Sequence, residues 1–172
     1  MKAAAPEFSR PIPLARLGRD PFRQDIEATP QERDKLARRF GLLALDRLFA
    51  TVTLSRQDGA SVLLEAAFEA EFVQECVISL EPVRGTVHER FSLLYGPAAE
   101  AEDEIALDSE EVTFEPMVGD AIDVAEAVAQ ELSLALPEFP RDPQAAVAPV
   151  STADAEERPF AALTRWRRKD GG

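Results

Sequence analysis

The chain of 172 residues has one cysteine, one histidine, one tryptophan and one tyrosine. A single cysteine cannot close an intrachain disulfide, and one cysteine with one histidine cannot make a four-ligand zinc site from those residue types alone. No Gly-rich segment matches GxGxxG or GxxxxGKS/T, so a nucleotide-dependent enzyme has no support. No window approaches about 18 consecutive apolar residues, and the opening stretch MKAAAPEFSRPIPL breaks at Pro6 and Glu7 without an apolar secretory core. These absences lead to an expectation of cytoplasmic folding without membrane insertion, metal or cofactor.

What is abundant is negative charge. Acids outnumber bases 32 to 19, a formal charge of -13, which disfavours free diffusion onto bare nucleic acid or an anionic membrane. The excess is local: residues 1–50 hold 10 bases and 7 acids, residues 51–96 hold 3 and 7, residues 97–157 hold 1 and 17, and residues 158–172 hold 5 and 1. An acidic insertion is expected over 97–110, kept mobile by self-repulsion unless a basic face neutralises it. Its residues Glu102, Asp103 and Glu104, with Glu110 and Glu111 just beyond, are candidate contacts for a basic protein. A basic tail over 164–172 carries Arg165, Trp166, Arg167, Arg168 and Lys169, whose cations and indole are candidate RNA contacts; docking on the acidic body is the competing use.

Pattern and turn chemistry predict the elements. Phe8, Ile12, Leu14 and Leu17 punctuate an extended N-terminal arm that Pro11 and Pro13 keep from becoming helix. Thr29 at the N-cap, Pro30 at N1 and Glu32 at N3 predict a capping box and a helix running to about Phe40, stopped by Gly41. A strand is expected over Leu48–Ser55, a turn at Gln57-Asp58-Gly59, and a second strand burying Val62, Leu64, Ala66, Phe68, Ala70 and Phe72. That parity extends to Cys76, Ile78 and Leu80 unless a bend resets it. Val83, Val87, Phe91, Leu93 and Tyr95 form a further apolar series, Phe114 and Met117 a short strand or loop contact, and Asp123 with Glu126 caps a second helix that Pro137 ends. The expected fold is α+β: a curved or partly closed antiparallel sheet with two principal helices.

Catalytic chemistry finds no unique residues. Cys76 and His88 lack any spacing that implies contact, and Cys76 falls on the apolar parity of its strand. Carboxylates are too numerous to single out a pair that shares a cavity. Arg84 and Arg90 are candidate RNA phosphate contacts, with surface ion pairing, including to Glu81 and Glu89, as the structural alternative. No catalytic, cofactor-binding or metal-ligating residue is assigned.

The segment Cys76-Val77-Ile78-Ser79-Leu80-Glu81-Pro82-Val83, followed by Val87-His88-Glu89 and Phe91, resembles the large ribosomal RNA subunit accumulation protein family, also called YceD-like. In that family a CxxCLxPV pattern follows a long strand; here Cys76 takes the first cysteine and Ser79 stands at the second, so metal or dithiol chemistry is not expected. Ile122-Asp123-Val124 resembles the entrance to the family's second helix, Leu134-Ala135-Leu136-Pro137 its exit, and Pro159-Phe160-Ala161-Ala162-Leu163 its terminal motif. The resemblance covers roughly residues 8–168 as one domain. It implies a cytoplasmic, noncatalytic ribosome-biogenesis factor supporting synthesis, processing or stability of 23S ribosomal RNA. The expected partners are large-subunit rRNA or an assembly intermediate, contacted through Arg84, Arg90 and the tail. The alternative is an acidic adaptor for a basic ribosomal or assembly protein, and an RNA-processing enzyme is the third class.

Overall fold

In a computed structural model, residues 6–57, 60–97 and 113–146 are described. The Gln57 turn is therefore seen only at its edges, and the acidic insertion and basic tail lie outside the described residues.

The elements run β1 (Pro11–Pro13), β2 (Phe22–Glu27), α1 (Pro30–Phe40), β3 (Ala44–Arg56), β4 (Val62–Glu75), β5 (Pro82–Gly96), β6 (Thr113–Pro116), β7 (Ala121–Asp123) and α2 (Val124–Ala135). Five strands form one sheet in the order β2-β3-β4-β5-β6, while β1 pairs with β7 in a separate two-stranded ribbon. The composition of the fold is α+β with two helices, as expected. Its sheet corrects the expectation of a curved or partly closed antiparallel one: the sheet is open, because β2 and β6 at its two ends do not pair. It is also mixed, because β6 joins β5 in parallel, from Leu93 opposite Thr113 to Gly96 opposite Pro116. Two helices and the N-terminal arm cover one face, so the apolar residues are buried without the sheet having to close on itself.

The long strands obey the period of two. Leu48, Ala50, Val52 and Leu54 of β3 and Val62 to Phe72 at even positions of β4 are buried, and their odd neighbours carry the polar residues. The apolar parity continues to Cys76 and stops there. A turn follows at 77–79, with Leu80 N–H donating to the Cys76 carbonyl and Leu80 itself at φ 63°, which throws its side chain outward at 67% exposure. Gly85 on β5 sits across from Phe72, and a Cβ there would come within 2.5 Å of the Phe72 ring, so the bare backbone is what admits that aromatic to the core.

Helix α1 starts as its sequence dictates. Glu32 N–H donates to Thr29 Oγ1 at 3.4 Å, Thr29 N–H donates to Glu32 Oε2 at 2.8 Å, and Gly41 at φ 66° closes the other end in the left-handed region. Leu36 from α1 and Val124, Val128 and Leu132 from α2 are fully buried against the sheet together with Phe8 and Ile12 of the arm. The arm is fastened by charge: Arg10 makes a two-pronged pair with Glu32 at 2.7 and 3.0 Å, and Asp123 accepts from Ser9 Oγ, Arg10 N–H and Glu126 N–H. The Arg10 guanidinium lowers the Glu32 carboxyl to about 2, an effect opposed by partial burial and reinforced by Thr29.

Candidate interaction surface

The face of the sheet turned away from the helices presents rows of side chains fixed by the strand register. One row runs Asp25, Thr51, Ala67, Arg90; the next runs Glu27, Phe49, Glu69, His88. Between them lies a shallow cavity of about 290 Å³ lined by Phe49, Ala67, Glu69, His88 and Arg90 among others. Arg47 and His88 both approach Glu69, at 2.5 and 3.8 Å.

Arg84 and Arg90 share this face of β5, roughly 20 Å apart at a strand rise of about 3.3 Å per residue. Their surroundings differ. Arg84 is 82% exposed and pairs with Asp46 at 2.9 Å, the residue that bulges out of β3 between Leu45 and Arg47. Glu81 and Glu89, its neighbours in the chain, are not its partners. Arg90 has no ion pair among the described residues. Lys35 and Arg38 on the exposed side of α1 have none either, and they line an open cavity with Glu7 and Arg39; sequence reading passed over them because isolated helix cations look like ordinary solvent contacts. Glu102, Asp103, Glu104, Glu110, Glu111 and Arg165 to Lys169 fall outside the described residues.

The acidic side is on β5, β6 and α2. Its carboxylates are Glu89 of β5, Glu115 of β6 and Glu126 and Glu131 of α2, and Glu126 is already paired with Arg39. Glu89 and Glu131 line a cavity of about 210 Å³ with Phe68, Phe91, Leu134 and Ala135. Burial, then the charge of Glu115, raises the Glu131 carboxyl. Tyr95 nearby is pushed up to about 12, by burial first and then by Glu115, Asp123 and Glu131. Glu89, Glu115 and Glu131 have no cationic partner among the described residues.

Cys76 is buried and separate from His88. Six residues of β4 lie between Cys76 and Glu69, the partner opposite His88, which at about 3.3 Å per residue places the two positions more than about 20 Å apart and excludes a thiol/base pair. Its Sγ instead accepts from the backbone N–H groups of Asp142 at 3.3 Å and of Ser79 and Ile78 at 3.4 Å. The Asp142 N–H, then Ser79 and Ile78, lower the thiol to about 7. Thiolate absorbance at 240 nm should therefore titrate near pH 7, and the lone cysteine makes the signal unambiguous. Because the folded pKa lies below the unfolded one, this group adds no stability below about pH 7 and an increasing amount from there to about pH 9. A midpoint at 8.5 or above would show that those N–H groups do not hold the sulfur. Among the described residues, no group of three or more His, Cys, Asp or Glu side chains is placed to hold a metal ion, and no helix is long and apolar enough to cross a membrane.

Residues 64–165, more than half of the chain, match the family described as large ribosomal RNA subunit accumulation protein YceD. The chain belongs to the YceD family. YceD membership gives it a role in ribosome biogenesis, in the accumulation of large-subunit ribosomal RNA, and ribosome-related partners. The YceD match starts in β4 and takes in β5, β6, β7 and α2, so it contains Cys76, Arg84, Arg90 and the unpaired carboxylates. The arm, β2 and α1 precede it. No curated protein and no solved structure matches the chain.

Proposed function

We propose that this protein supports accumulation of 23S rRNA by binding a basic protein of the assembling large subunit on its acidic β5–β6–α2 side. The observation that carries the reading is the group Glu89, Glu115 and Glu131. None of the three has a cationic partner among the described residues, and Glu131, raised by burial and then by the charge of Glu115, gains most from a Lys or Arg brought by a partner. The acidic residues Glu102, Asp103, Glu104, Glu110 and Glu111 would extend the same surface.

A second reading, direct contact with rRNA, draws on different residues. Arg90, Lys35 and Arg38 are cations without ion pairs among the described residues, and the tail from Arg165 through Trp166, Arg167 and Arg168 to Lys169 would add charge and a stacking ring. Arg84 is the weaker RNA contact because Asp46 already neutralises it.

Depletion of the protein is expected to lower mature 23S rRNA and raise its precursors while 16S rRNA is spared. Unchanged 23S abundance and subunit assembly under growth-limiting conditions would reject the role of this chain. Crosslinking followed by residue-resolved mass spectrometry separates the two readings: adducts from a basic protein on the β5–β6–α2 side, persisting after RNA removal and weakened by salt, support the first. RNA adducts confined to Arg90, α1 and the tail replace it with the second.

A further inference from the structure

Strand β5 is 15 residues long, and β4 pairs with it along almost its whole length, from Val62 opposite Tyr95 to Glu75 opposite Pro82. On its other side β6 pairs only with Leu93 to Gly96. Among the described residues nothing pairs with that side of β5 from Pro82 to Ser92. The Gly96 carbonyl accepts from Met117 N–H at 2.7 Å, which identifies the residues whose main-chain groups point away from β4. Since these groups alternate along a strand, Arg84, Thr86, His88, Arg90 and Ser92 present N–H and C=O outward. An open edge of this length exceeds the usual strand of about five or six residues and is enough to template another.

The borders of this edge define what it accepts. On the helix side of the sheet, Phe91 and Phe68 meet edge to face at 6.2 Å and, with Leu134 and Ala135 of α2, wall an apolar cavity; Leu134 is 79% exposed. Glu89 and Glu131 stand at its mouth, and Glu115 is close enough to Glu131 to act on its charge. Arg90 adjoins the cavity along β5, but its side chain lies on the opposite face of the sheet, so carboxylates predominate on this side. A strand laid on the edge would send alternate side chains to this side, where apolar and cationic groups fit.

We infer that the Pro82–Ser92 edge of β5 takes an extended Lys- or Arg-bearing segment of a partner protein as an added strand. Main-chain hydrogen bonds to Thr86, His88 and Arg90 hold the segment, an apolar side chain enters the Phe91–Leu134 cavity, and its cations answer Glu89 and Glu131. The Arg84 and Arg90 side chains on the opposite face are the charged guards that keep so long an edge from pairing indiscriminately. This inference rests on the protein-contact reading above and names its site.

The test uses the full chain and a nine-residue peptide alternating Lys and Val. Peptide binding should slow amide exchange at Thr86, His88 and Arg90 by about tenfold or more, and Glu89→Gln with Glu131→Gln should weaken binding by about tenfold. The same peptide methylated on alternate backbone nitrogens should not bind, and neither should its Glu-for-Lys counterpart. The methylated peptide needs no protein variant, so a folding defect cannot imitate its result. Equal binding of the methylated peptide would overturn the inference, because charge alone would then suffice. Protection of those amides already in the free chain would overturn it too, since a segment of the chain itself would hold the edge. A single-stranded RNA oligonucleotide protecting the same amides where the peptide does not would give the edge to RNA. Crosslinks to a basic protein elsewhere on the acidic side would defeat the edge alone, whereas their complete absence would defeat the protein-contact reading.

Discussion

Phe8→Ala should destabilise the protein by about 3–5 kcal/mol, the largest effect expected of any single substitution in the N-terminal arm. Phe8 is 1% exposed and belongs to the same core as Leu36 of α1 and Leu132 of α2. Removing its ring forfeits the transfer of that surface from water and leaves a cavity that neighbours close only in part. The Arg10 guanidinium, 5.0 Å from the ring centroid, would lose the face it stacks on. A domain of this size is stable by about 5–15 kcal/mol in total, so the variant would be marginal. Urea denaturation reads the effect as a lower midpoint with an unchanged slope. Val118→Ala, at a side chain 87% exposed, is the matched control and should shift stability by less than about 0.5 kcal/mol. A loss below about 1 kcal/mol for Phe8→Ala would mean that the arm contributes little to the core, although it precedes the YceD-matched region and packs beneath it.

Asp123→Ala should cost about 2–4 kcal/mol. One carboxylate here does the work of several groups: it caps α2 through Glu126 N–H, accepts the Ser9 hydroxyl, and accepts the Arg10 N–H at 2.7 Å. Loss of an N-cap is worth about 0.5–2 kcal/mol, and hydrogen bonds to a charged acceptor about 1.5–3 each in settings where both partners lose water. These contributions share one residue and do not add in full. Asp123→Asn keeps one acceptor oxygen and should recover roughly half of the loss. Amide exchange at Ile12 and Ile122, paired across β1 and β7, should accelerate in the alanine variant while β3 and β4 are unchanged. Uniform acceleration through the five-stranded sheet would instead show that the ribbon and the sheet open as one unit.

Local chemistry was legible in the chain to a fine grain. Thr29, Pro30 and Glu32 set the start of α1 and Gly41 its end, because a capping box and a left-handed C-cap involve only residues within one turn of each other. The even positions of β4 announce their burial for the same reason: alternation is a property of one strand. The arrangement of strands was not legible in that way. That β6 joins β5 in parallel, and that β2 and β6 stay apart, depends on a connection from Gly96 to Thr113 whose path no local pattern encodes. The parity expected to run on to Ile78 and Leu80 ends after Cys76 because the chain turns at 77–79, closed by Leu80 N–H on the Cys76 carbonyl, with Asp142 N–H reaching the Cys76 sulfur from a distant segment.

The candidate surface divides along the same line. Arg84 and Arg90 were visible as cations on one strand face, yet the pairing of Arg84 with Asp46 is made across a bulge 38 residues away. Glu89, Glu115 and Glu131 are scattered in sequence and unremarkable in an acidic chain; packing α2 beside the β5 edge sets Glu89 and Glu131 on one apolar cavity, with Glu115 near enough to act on the charge of Glu131.

By itself, then, the sequence determined the helix caps, the buried side of each long strand, the uneven distribution of charge and the family. Tertiary structure decided which strand edge is left open and which carboxylates lack a cation among the described residues. Capping and alternation are settled by hydrogen bonds and burial within a few residues, whereas strand order and the grouping of charges are set by contacts between segments far apart in the chain.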